Sequence, residues 1–445
     1  MKTLIYNGLI VNESQQFIGY IEIEDKIILG VHKGEFTGDK TIYNKTIDAK
    51  GSYVLPGVID DQVHFREPGL EYKGEIATES RAAVAGGVTS FMEMPNTKPT
   101  TTTLEDLEWK FNRAAECSMA NYSFYFGATN DNTHLLDKLD PTSVCGLKLF
   151  MGSSTGNMLV DSKEALTEIF SNSPLLIATH CEEESIVLHN KKVYAEKYGS
   201  EYSNTFHPLV RSEEACYTSA AKAVELAEKT GARLHVLHIS TAKELTLFSD
   251  KPLKDKKITS EICLHHLWFT DEDYVKKGNF ILWNPAIKTE ADREGLREGV
   301  RNGKVDIIAT DHAPHTIEEK SGNYPNVPSG GPLVQHSLVG MLELAKQGQW
   351  SVEKVVEKMC HAPSDLFKVE KRGYLRTGYY ADLVIVSKDE WQVTKENIYY
   401  KCGWSPFEGD SFSHKVTNTI INGVEVYSHG QFKEDFRGEK LTFTK

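Results

Sequence analysis

The period of the apolar positions divides the chain into three stretches. Over residues 1 to about 52, TLIYNGLIV, IGYIEIED and KIILGV read as short strands, and no helical period appears. Asn7-Gly8, in the middle of the first run, is a hairpin signal. From about residue 53 the pattern changes. Apolar strand-like runs at 58–65, 89–94, 122–128, 146–151, 174–180, 233–239, 257–264 and 304–311 alternate with amphipathic stretches of helical period. Those stretches include ESRAAVAGG, LEDLEWKFNRAAE, SKEALTEIF, EEACYTSAAKAVELAEKT and TEADREGLREGV. Eight strand–helix units in succession predict an α/β fold, a (β/α)8 TIM barrel over 53–371. After about 372, ADLVIVSKD, TNTIINGVEVYSHGQF and KLTFTK return to strand character, with Asn422-Gly423 as a further turn. Sheet edges need partners, so 1–52 and 372–445 are expected to pair into one small β-sandwich domain.

Composition narrows the class. The formal charge of −13, with no run of Lys or Arg, argues against a nucleic-acid partner. No apolar stretch approaches the roughly 20 residues of a membrane helix, and the start MKTLIYNGLIV lacks the layout of a signal peptide. The seven cysteines are odd in number, scattered and free of CxxC spacing. They argue against a disulfide framework and a cysteine zinc site, and a reducing cytoplasm is the expected location.

The strand ends carry the candidate chemistry. In VIDDQVHFREPG, strand alternation places Asp60, Gln62 and His64 on one side and Asp61, Val63 and Phe65 on the other. The first barrel run ends at His64, the fifth at His180 and the eighth at Asp311; the sixth carries His238 near its end. Lys148 sits between Leu147 and Leu149 in the fourth. Each alone has a bland reading: a satisfied polar residue, a snorkelling lysine, a helix cap. A barrel, however, sends all five into one bowl. Three imidazoles, a carboxylate and a lysine suit a hard or borderline divalent metal, with zinc first among candidates. An unpaired ammonium is costly in a central strand. Lys148 is therefore expected to be neutral or converted by CO2 to a carbamate, an anionic oxygen ligand able to bridge two metals.

Taken in order, PGVIDDQVHFREPG, MEMPNTKPTT, GLKLFMGSSTG, ATHCEE, VLHIST, LWNPAIKTEADREGL and ATDHAPHT resemble the dihydroorotases of the amidohydrolase superfamily, and GYYADLVIV and GWSPFEG extend the match towards the C-terminus. The resemblance implies reversible opening of a cyclic amide, L-dihydroorotate plus water giving N-carbamoyl-L-aspartate. It implies one or two zinc ions, with carboxylated Lys148 as the bridge between two, His64 and Asp311 as ligands of the first, and His180 and His238 as ligands of the second. It further implies that Arg66, Asn96 and His315 hold the substrate carboxylate, that Asn284 contacts the ring, and that Asp311 carries a proton from water to the leaving nitrogen. Ser154 and Thr155 match a loop over the substrate. The implied partner is a small molecule; a homodimer is compatible with the resemblance, and no interface is legible in the sequence.

One position departs from the pattern. The family's HxH at the first strand is here Gln62-Val63-His64, so one imidazole is replaced by a neutral amide, a weaker zinc donor. Two other readings follow: a hydantoinase- or allantoinase-type enzyme, or an inactive scaffold for a partner such as aspartate transcarbamoylase. The lysine, the histidines and the aspartate that remain favour an active enzyme.

Overall fold

The computed structural model describes residues 1–152 and 158–444. Eight strands form one all-parallel sheet in sequential order: β1 (Val58–Val63), β2 (Val88–Glu93), β3 (Asn121–Gly127), β4 (Gly146–Phe150), β5 (Ile177–His180), β6 (Leu234–Val236), β7 (Ile258–Cys263) and β8 (Ile307–Ala309). The circle closes just beyond β8, where the His64 amide donates to the His312 carbonyl at 2.7 Å. The fold is the expected TIM barrel. Ile59, Met92, Tyr125, Ala178, Leu237 and Ile307 pack in one apolar cluster, and Val63, Phe65, Phe91 and Phe124 pack in another with the helix residues Ala82, Ala83 and Leu107.

Capping sets several helix starts. Thr103, Ser162, Ser212 and Thr289 each accept a backbone N–H in the first turn of the helices Leu104–Cys117, Lys163–Asn172, Glu213–Thr230 and Glu290–Arg301. The helix Glu184–Tyr198 follows β5, and the β3–β4 connection holds a 3-10 segment, Thr133–Lys138, rather than an α-helix.

Strands from both chain ends form a separate nine-stranded sheet. Tyr53–Pro56 joins them, running parallel to Lys2–Asn12 and antiparallel to Leu383–Ser387. The Asn7-Gly8 hairpin expectation is corrected here. Lys2–Asn12 is a single strand, and its pairing with Gln15–Glu24 shifts between Ile5 and Gly8, a bulge at Asn7 (φ 55°). The turn lies instead at Glu13-Ser14, both at positive φ. Asn422-Gly423 does turn between paired strands, Lys415–Ile421 and Val424–Ser428. Among the described residues no helix is long and apolar enough to cross a membrane.

Candidate active site

The C-terminal ends of the barrel strands surround a cavity of about 620 Å³. His64, Arg66, Asn96, Lys148, His180, His238, Asn284, Asp311 and His315 all line it. Three of these take left-handed backbone where the chain leaves a strand: Arg66 (φ 72°), His238 (φ 39°) and Asp311 (φ 49°). That conformation is unfavourable for residues with a Cβ and is held by the surrounding fold. It turns these side chains into the bowl.

Two groups of side chains face each other across the floor. On the β1/β8 side, His64 Nε2 lies 3.1 Å and Gln62 Nε2 3.3 Å from Oδ1 of Asp311. Asp311 Oδ2 takes no side-chain hydrogen bond from a described residue. The amide oxygen of Gln62 faces the Cys263 thiol at 3.8 Å. On the β5/β6 side, His180 Nδ1 lies 3.0 Å from His238 Nε2, with the rings nearly perpendicular. His180 Nε2 meets Glu182 at 3.0 Å, and Glu182 is ion-paired with Arg211. Burial lowers the pKa of His64 and of His238, keeping both imidazoles neutral and their lone pairs available. Between the two groups stands Lys148, 1% exposed, its Nζ 4.7 Å from the centre of the Phe150 ring. It has no ion-pair partner among the described residues. Burial is the main cause that brings its ammonium down to about 8.

The cavity wall beside β1 is cationic. Arg66 is buried; its Nε donates to the Pro314 carbonyl at 3.0 Å and its Nη2 lies 3.0 Å from His315 Nε2. Lys73 Nζ lies 3.0 Å from His315 Nδ1 and pairs with Glu319 at 3.0 Å. Burial, then the Arg66 charge, pushes His315 down to about 3, so its ring is neutral. Glu319 therefore offsets Lys73, while Arg66 has no carboxylate partner among the described residues. The side-chain oxygens of Asn96 and Asn284 are buried without a hydrogen-bond partner and are free to orient a ligand.

Lys73, Glu182 and Trp283, the last of which also lines the cavity, were not legible as site residues. Lys73 and Trp283 lie in loops with no spacing signal, whereas Glu182 stands two residues after His180 in THCEE, where a second residue bracing the ring could have been sought. The Ser154/Thr155 expectation falls outside the described residues.

The Amidohydrolase family profile matches residues 53–426. This chain belongs to the amidohydrolase family, and is a hydrolase of cyclic amides. Within it, the chain is 31% identical over 439 residues to a dihydroorotase of Pyrococcus furiosus, covering 98% of this chain and 96% of that one. It is 32% identical to a dihydroorotase of Bacillus subtilis, covering 97% and 99%. Among solved structures it resembles the L-hydantoinase (dihydropyrimidinase) of Arthrobacter aurescens, with a TM-score of 0.93, 25% identity and 99% of each chain covered.

Proposed function

We propose that the protein is a dihydroorotase that interconverts L-dihydroorotate and N-carbamoyl-L-aspartate. The observation that carries this reading is Arg66: a buried guanidinium without a carboxylate partner, opening into the same cavity as the imidazoles. A buried unpaired charge is costly, and a bound carboxylate offsets it. Dihydroorotate carries one such group on its ring.

The side chains fit a divalent metal. The neutral rings of His64 and His238, together with His180, Asp311 and Lys148, would hold one or two zinc ions. Glu182 would orient the His180 ring from behind. When bound, the metal supplies Lewis acidity towards water and towards the ring carbonyl. Lys148 joins this set as a carbamate: its neutral amine forms a bond to the carbon of CO2 and releases a proton, and the product is an anionic oxygen donor.

Asp311 handles the proton. His64 and Gln62 both approach Oδ1, which leaves Oδ2 to take a proton from the attacking water. As the ring C–N bond breaks, the same oxygen returns that proton to nitrogen. In the reverse direction, protonated Asp311 helps a carboxylate oxygen leave as water. Arg66 receives the substrate carboxylate by two parallel N–H donors. Asn96 and His315 surround it, and Asn284 meets the ring.

The test is turnover of dihydroorotate, hydantoin and allantoin side by side by zinc-replete enzyme. Dihydroorotate should be the preferred substrate. Preference for hydantoin or allantoin would assign the bowl to those rings, and no turnover with no bound metal would leave only a scaffold.

A further inference from the structure

Beneath the bowl, inside the barrel, three side chains from three strands converge: Asp61 of β1, His235 of β6 and Glu261 of β7. Each is 0% exposed. Strict alternation would put Asp61 beside Val63 and Phe65, which pack outward. Instead the register of β1 against β2 shifts between Asp60 and Val63, and the Asp61 carboxylate turns to the barrel axis. Its Oδ2 lies 3.4 Å from His235 Nε2, and Glu261 Oε2 lies 3.7 Å from that same nitrogen. Apart from these two long ion-pair contacts, Asp61 Oδ1 and Oδ2, His235 Nε2 and Glu261 Oε2 are buried without a well-formed hydrogen bond. Buried polar atoms are rarely left so.

The surroundings aim these atoms at one point. Thr259 Oγ1 donates to the Leu234 carbonyl at 3.2 Å, so its oxygen accepts from His235 Nδ1 at 2.8 Å. With a proton on Nδ1, it is Nε2 that faces the two carboxylates; on loss of its own proton to an incoming cation, Nε2 would be placed as a metal-ligating histidine braced by a hydroxyl. Glu261 Oε1 is occupied by the His238 amide at 3.1 Å and the Cys263 thiol at 3.6 Å, which turns Oε2 inward. Donors on a tetrahedral zinc with bonds of about 2.1 Å stand about 3.4 Å apart. The distances of 3.4 and 3.7 Å are close to that edge. Against the effect of burial, the Asp61 and Glu261 carboxylates raise His235 to about 9, so without an ion its ring is protonated between them; a divalent cation would displace the Nε2 proton and balance the two carboxylates in its place.

We infer that Asp61, His235 and Glu261 form a separate divalent-cation site, with zinc the ion their donors suit, buried in the barrel below the bowl. Through Glu261 Oε1 the ion braces the left-handed backbone of His238. Because the site is sealed from solvent, it fills during folding and resists chelators that empty the bowl.

The test uses intact enzyme crystallised with zinc, with anomalous diffraction recorded at the zinc edge. A peak between Asp61, His235 and Glu261 is expected. A water there, or peaks confined to the bowl, overturns the assignment. A second measurement counts metal per chain. Asp61→Asn should bind about one zinc fewer than wild type, and a chain stripped at the bowl by His64→Ala, Lys148→Ala, His180→Ala and His238→Ala should retain about one. Equal zinc in wild type and Asp61→Asn, or none in the stripped chain, also overturns it. If the variants do not fold, the wild-type crystal decides alone.

Discussion

The amide nitrogen of Gln62 lies 3.3 Å from Oδ1 of Asp311, and its amide oxygen faces a thiol rather than the bowl. Gln62 therefore steadies the aspartate and is not turned to donate to a metal. Restoring an imidazole with Gln62→His should add a donor beside His64. We expect zinc held on that side of the bowl to bind about tenfold or more tightly, since changes in a metal's ligand environment commonly reach that size. Competition with a zinc chelator measures it. An unchanged affinity would show that Gln62 already serves the metal as well as a histidine does.

Arg66 offers a second prediction. Arg66→Met removes the fork and leaves His315 and Lys73 facing the cavity. Losing one partner of a buried charged contact costs about 2–5 kcal/mol, or roughly 30-fold to several thousand-fold in kcat/KM. The loss should fall on dihydroorotate and spare uncharged hydantoin, so the ratio of the two rates is the informative number. Arg66→Lys keeps the charge but not the two parallel donors, and should recover only part of the activity. Equal losses on both substrates would take the carboxylate away from Arg66.

Much of this was legible because most barrel strands are apolar runs with a polar residue at or near the end. His64, His180 and Asp311 stand out against such runs, and the barrel topology then brings them together. Asp61, His235 and Glu261 were not legible, because a polar residue within a strand reads as one step of an alternation towards solvent. Only the register shift in β1 and the closed circle of strands reveal that this side is the barrel interior. Asn7-Gly8 misled for a related reason: the same dipeptide serves a bulge as well as a turn, and the partner strand decides which. Lys73 is placed only by the fold of its loop.

Lys320 gives a pH dependence whose sign can be worked out. It is fully buried, and its Nζ donates to the carbonyls of Pro328 at 3.0 Å and Gly330 at 2.9 Å, behind the cavity wall. Burial, and then the Arg66 charge against a smaller opposing effect of Glu319, brings it from 10.5 down to about 7. Between about 7 and 10.5 the unfolded chain holds this proton and the folded chain does not. Stability attributable to Lys320 therefore rises with pH across that window, by up to about 1.4 kcal/mol per pH unit, and is lost as pH falls to about 7. Denaturant unfolding of wild type and Lys320→Met at several pH values checks it. The wild type should gain on the variant from pH 7.5 to 9.5; parallel curves would place the lysine's charge elsewhere.

The pair Lys110–Glu93 sets the cost of breaking a charge contact in this fold. Lys110 Nζ meets Glu93 at 3.1 Å and donates to the Met94 carbonyl at 3.1 Å, with side-chain exposures of 1% and 0%. Burial outweighs the attraction on both partners, raising Glu93 to about 7 and lowering Lys110. Removing one partner strands the other in the barrel wall, so Lys110→Met should cost about 3–5 kcal/mol. Replacing both, Lys110→Met with Glu93→Gln, removes the stranded charge and should recover most of that loss, because the desolvation cost of the pair outweighs its attraction. Chemical denaturation of the wild type, both single variants and the double variant measures the coupling. A double variant as unstable as the sum of the singles would mean that each residue acts through its own packing and not through the other's charge.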